Sequence, residues 1–117
     1  MSYMLLIKEP RGQRVERGVE AGKQVYAQML QFAEDLKRRG VLRGVESLAC
    51  DTGAVQVEVR NGRQRLIDGP FTEAKEMIGG FFLIDCATQA EAIAIAAECP
   101  AAQWCTVEVR ALGPCWA

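Results

Sequence analysis

Ionisable and turn-forming residues crowd into Asp68–Glu76, "DGPFTEAKE", set between the apolar runs "QRLI" and "MIGGFFLID". Asp68 fits two roles. Its carboxylate can accept hydrogen bonds from backbone N–H groups of the turn that follows, a local reason for Asp to precede Gly69-Pro70. Surrounded by apolar neighbours, it can equally serve as a proton donor or acceptor. Pro70 and Thr72 suit the start of a single helical turn over Glu73–Met77, with Thr72 as N-cap. Glu73 and Glu76 then share a face, either as surface charge or against a ligand. Lys75 points elsewhere, to pair with an acid of a partner chain or to bind an anionic ligand. Phe71 serves as a core plug or as a ring on which a substrate stacks.

The chain contains no histidine, which removes Ser-His-Asp and Cys-His catalysis, histidine metal sites and the usual neutral-pH acid/base group together. No phosphate-binding or dinucleotide glycine fingerprint occurs, and no cofactor is implied. Chemistry therefore falls to carboxylates, Lys, Arg, Tyr or thiols. The five cysteines are odd in number and lack C-x-x-C spacing, against a disulfide framework or a zinc site. Most are expected as buried thiols, with Cys115 the exposed one.

Those residues need a scaffold, and 117 residues with a net charge of −1 bound it to one soluble domain, residues 1–117, with no field to recruit nucleic acid. No apolar run reaches the roughly 18–20 residues of a membrane helix, so no membrane partner is expected and the cytoplasm is the default location. Tyr3–Lys8 reads as a strand and "EPRGQRVERG" as a loop broken by Pro10, Gly12 and Gly18. From Glu20 to Arg39, Val25, Met29, Phe32 and Leu36 recur at helical spacing, flanked by Tyr26, Leu30 and Ala33; Gly40 ends that helix. Val41–Ala49 is a second strand.

Asn61-Gly62 between "AVQVEVR" and "RQRLI" marks a type I′ hairpin, since both central positions tolerate positive φ. If Arg60 faces Arg63, Val59 meets Gln64, Glu58 meets Arg65, Val57 meets Leu66 and Val55 meets Asp68. Val55, Val57, Val59, Leu66 and Asp68 then share a face. Phe81–Cys86 is a strand apolar on both faces. Thr88 to Glu91 forms a capping box for a helix running to about Cys99, and Trp104–Leu112 alternates as the last strand. On that strand Glu108 and Arg110 lie opposite Val107 and Val109, where Arg110 either clamps a ligand oxyanion or is an edge charge.

Setting the hairpin aside, the order is that of a ferredoxin-like βαββαβ fold: α+β, an antiparallel sheet with two helices on one face. Tyr3–Ile7 and Phe81–Ile84 are apolar on both sides, so a second copy is expected to cover the other face as a homodimer.

Together, "YMLLI", "GVLRGVESL", "DGPFTEAKEMIGGFFLID" and "CPAAQWCTVEVR" closely resemble the YCII-related family, in its DGPF-domain branch. The resemblance spans nearly the whole chain. It implies a dimeric α+β barrel and a superfamily of small-molecule isomerases, lyases, monooxygenases and eliminases. Related proteins propose a His–Asp pair as the catalytic unit, and here the histidine is missing. The expected site is accordingly a pocket between subunits for a small organic ligand, with Asp68 or Glu46 moving a proton and Phe71, Glu73, Lys75, Glu76 and Arg110 contacting substrate. The resemblance equally admits a non-catalytic binding or regulatory module linked to extracytoplasmic-function sigma factors.

Overall fold

The first strand already sets the two sides of the molecule. In the computed structural model, which describes residues 1–70 and 73–116, β1 (Ser2–Pro10) alternates so that Tyr3, Leu5, Ile7 and Glu9 are buried while Ser2, Met4, Leu6 and Lys8 are half-buried. Period-two alternation assigns the first set to one face and the second to the other. The chain then turns at Gly12, whose φ of +83° is one a side chain rarely adopts, and enters a short helix α1 (Gln13–Arg17). This corrects the expected loop: β1 continues through Pro10, and α1 is a helix that no apolar stripe announces, Val15 being exposed.

After Gly18, helix α2 (Val19–Arg38) runs close to the expected bounds and gives way to β2 (Leu42–Ser47). A 3-10 turn (Asp51–Gly53) leads to the hairpin β3 (Val55–Arg60) and β4 (Arg63–Asp68). Its register pairs Val55 with Asp68, Val57 with Leu66, Glu58 with Arg65 and Arg60 with Arg63, as the Asn61-Gly62 turn dictates. Both turn residues have positive φ, 53° and 74°. Then follow β5 (Glu76–Asp85), α3 (Gln89–Glu98), a 3-10 turn begun by Pro100, and β6 (Thr106–Ala111). At the start of α3 the Thr88 hydroxyl accepts from the Glu91 N–H at 3.2 Å, and the Glu91 carboxylate accepts from the Ala87 N–H at 2.9 Å.

The expected helical turn over Glu73–Met77 does not form. Glu76 is the first residue of β5, paired with Pro10, and the Arg11 N–H donates to the Lys75 carbonyl at 2.9 Å. Pairing with β1 overrides the local helix signals, so Glu73 and Glu76 do not share a helix face. Thr72, the expected N-cap, lies outside the described residues.

The main sheet has the order β2-β5-β1-β6, all antiparallel, which is the ferredoxin-like α+β arrangement; β3 and β4 form a separate two-stranded sheet. Phe32 and Leu36 of α2 and Ala92, Ile95 and Ala96 of α3 pack on Tyr3, Leu5, Ile7, Phe82 and Ile84, so both long helices cover one face. Phe32 and Phe82 meet edge to face, centroids 5.2 Å apart. No helix among the described residues is long and apolar enough to cross a membrane.

Candidate functional site

The apolar stripe of α2 is continuous in sequence but divided in its contacts. Its C-terminal half, Phe32, Ala33 and Leu36, is buried against the sheet, whereas Tyr26 and Leu30 stay about half exposed. The N-terminal half, with Val19, Val25, Tyr26, Met29 and Leu30, instead walls a cavity of about 790 Å³ between α2, α1 and the sheet. A mainly apolar concavity of this size suits a small organic molecule.

Its floor carries an acid. Glu9 lies at the fourth inward position of β1, only 6% exposed, where a core residue would be expected. The compensation comes from α1: Arg14 donates from Nε to Oε1 at 2.9 Å and to Oε2 at 3.2 Å, and its Nη2 also contacts Oε1. Oε2 is thus the less engaged oxygen. Space for the carboxylate comes from a bulge in β5, where the pairing with β1 slips between Ile7 and Lys8. A Cβ on Gly79 would stand 2.0 Å from Glu9 Oε1 and 2.9 Å from its Cγ. A Cβ on Gly80 would stand 2.7 Å from the Glu46 carbonyl oxygen. The glycine pair therefore has two steric reasons, one for the acid and one for the β2–β5 contact.

Gln13, the first residue of α1, ties the helix to the segment before β6. Its Nε2 donates to the Trp104 carbonyl at 2.7 Å, and its Oε1 accepts from the Cys105 thiol at 3.4 Å. The Arg17 guanidinium lies over the Trp104 ring, its Cζ 5.8 Å from the centroid. Cys105 lines the cavity, but burial, reinforced by the charge of Glu9, pushes its thiol up to about 11. It remains a neutral thiol at physiological pH and not a nucleophile. Cys50, exposed, is held below the ordinary thiol value by hydrogen bonds from the Thr52 backbone and hydroxyl. The expectation that most thiols are buried is corrected: Cys99 is buried, Cys86 and Cys105 are half-buried, and Cys50 and Cys115 are exposed. Cys115 is exposed as expected, and the exposed Cys50 lies in the stretch between β2 and the 3-10 turn. Among the described residues no three of Cys, Asp and Glu converge to hold a metal.

Of the residues singled out from sequence, Glu46 lines this cavity. Its pairing with Phe81 sends the side chain to the face away from the helices, where it is exposed. Asp68 is exposed on the hairpin and, with Glu73, Lys75, Glu76 and Arg110, does not line the cavity. Phe71 lies outside the described residues. Glu76 and Arg110 meet a different set of groups on the uncovered face of the main sheet. There Lys8 bridges Glu76 at 3.9 Å and Glu108 at 3.6 Å, and Arg110 donates from Nε to Glu108 at 2.6 Å.

Sequence reasoning missed Glu9, Gln13, Arg14, Arg17 and Trp104. A signal existed for Glu9: the alternation Tyr3, Leu5, Ile7 continues onto it, marking an acid on the buried side of a strand.

A family model described as the YCII-related domain matches residues 1–115 of the chain. An uncharacterized protein, R00369, of Rhizobium meliloti (strain 1021) is 41% identical over 59 residues, which is 50% of this chain and 48% of that protein. The chain thus aligns with about half the length of this curated relative. With a bulged glycine pair, a ferredoxin-like sheet and a family match over nearly every residue, the chain belongs to the YCII-related family.

Proposed function

We propose that this protein binds a small, mainly apolar organic molecule in the cavity under α2 and moves a proton on it with the Glu9 carboxylate. One observation carries the reading: a carboxylate 6% exposed, with one oxygen lightly engaged, on the floor of an apolar cavity of about 790 Å³. Glu9 would take a proton from a carbon beside a carbonyl, and the C–H electron pair would move into the carbonyl oxygen. Arg14, already against the acid, is placed to donate to that developing oxyanion. Returning the proton to a second carbon completes an isomerisation. Expelling a neighbouring leaving group completes an elimination instead.

The homodimer belongs to the same reading. Met4, Leu6, Phe81 and Leu83 share the uncovered face and are half-buried, and Val55, Val57, Val59 and Leu66 are exposed together on the hairpin. Asp68 lies on that hairpin face, so a role for it in a pocket between subunits requires the second copy.

Hydrogen exchange on carbon tests the chemistry. A panel of small cyclic ketones and enol lactones in D2O, followed by NMR, should show enzyme-dependent deuterium uptake that falls on the order of 100-fold in Glu9→Gln. Native mass spectrometry of both proteins should show the same retained ligand. A ligand retained with no exchange on any panel member would reduce the protein to a binding module, and neither retention nor exchange would remove the cavity from consideration.

A further inference from the structure

Two carboxylates and two guanidiniums line the cavity, Glu9, Glu46, Arg14 and Arg17, but the Glu46 side chain turns to the opposite face of the sheet. Glu9 and Arg14 neutralise each other at close range. Arg17, half-buried at the cavity wall, has no carboxylate within 4 Å among the described residues, and its recorded partner is the face of the Trp104 ring. A guanidinium lying over a ring at this distance keeps N–H donors available for a carboxylate, which can bind it through two parallel hydrogen bonds. The Trp104 backbone is tied to the same short helix, since Gln13 donates to its carbonyl at 2.7 Å. A cation fixed this way at an apolar wall is ordered before any ligand arrives, which lowers the entropy lost on binding.

Accepting the cavity as a ligand site, we infer that its ligand is an apolar carboxylic acid, whose carboxylate is clamped by Arg17 against Trp104 while its hydrocarbon body lies along α2 towards Glu9. The polarity of the site sets this orientation. The neutralised Glu9–Arg14 pair offers an anion no net attraction at the floor, whereas Arg17 attracts one at the wall. A carboxylate matches a single guanidinium in charge, whereas a phosphate dianion would leave one charge unmet in an apolar surround. The body of the ligand falls against Val25, Tyr26 and Leu30, the part of the helical stripe outside the core, beside Met29, which also packs on the core.

The test uses the full chain carrying Trp116→Phe, so that fluorescence excited at 295 nm reports Trp104 alone, with 4-phenylbutyrate and 4-phenylbutan-1-ol as probes of equal shape. The carboxylate should bind about tenfold or more tighter than the alcohol. Arg17→Gln should bring the carboxylate down to the affinity of the alcohol and leave the alcohol unchanged. Arg17→Lys should keep part of the preference, because it retains charge without the planar fork. Equal binding of the two probes, or a preference that survives Arg17→Gln, would overturn the carboxylate clamp while leaving the cavity as a site for neutral molecules. Failure of both probes to bind the parent protein would reject clamp and cavity together.

Discussion

Glu9 and Arg14 show how one position can carry both stability and function. The Glu9 side chain is nearly inaccessible, and Arg14 supplies its close polar partner. Removing the arginine strands a carboxylate away from water, and that penalty exceeds the net worth of the pair. Arg14→Ala should therefore cost about 2 kcal/mol in urea unfolding, tempered because Arg14 is itself partly exposed. Adding Glu9→Gln to it should recover part of that loss. A double variant as unstable as the sum of its parts would mean that the two side chains do not depend on each other. The thiols follow the same local logic. Cys105 is suppressed by burial beside Glu9, whereas Cys50 is exposed and held below the ordinary thiol value by Thr52.

At the scale of elements, α2 does two jobs along one stripe, and its first turns hold the sign of the second. Gly22 sits inside the helix, lines the cavity and has nothing within 4 Å of where a Cβ would be. Glycine in a helix interior is unfavourable against alanine, so Gly22→Ala should stabilise the fold by about 0.5–1 kcal/mol and raise the thermal midpoint. A fall in the midpoint would mean that the helix start is held open by contacts other than its own backbone. The stripe, the hairpin register and the capping box were legible in the sequence because each rests on a local rule: period 3.6, Asn-Gly at positive φ, and Thr-x-x-Glu. The segment after β1 was not. Pro10, Gly12 and Gly18 are breakers by type, and only the contact of Arg14 with Glu9 and the long-range contact of Gln13 with Trp104 show that a helix is pinned between them. The Asp68–Glu76 segment misled for the converse reason. Its local signals favour a helical turn, yet Glu76 is drawn into a ladder with a strand more than sixty residues earlier in the chain. Composition drew attention to the crowded acids, while the buried acid stood alone in a strand.

The whole molecule extends further than its length requires. Its radius of gyration is 16.1 Å, against about 13 Å for a compact chain of this size. The hairpin accounts for this, since it pairs with no strand of the main sheet and leaves Val55, Val57, Val59 and Leu66 each more than half exposed. Association of two copies is the expected remedy, and light scattering at micromolar concentration should report about twice the 12.9 kDa chain mass. Leu6→Glu, a charge in the middle of the uncovered face, should return the protein to single-chain mass. A parent protein already at that mass would leave the apolar face without a second copy to cover it. On the proposed reading the sheet also separates two surfaces: ligand space on the side of the helices, association on the side of Met4 and Leu6. Back-to-back copies would consequently point their two mouths in opposite directions, with a double wall roughly 10 Å thick between the floors. Filling one would then neither block nor prime the other, and saturation should follow a simple hyperbola with one guest for every chain.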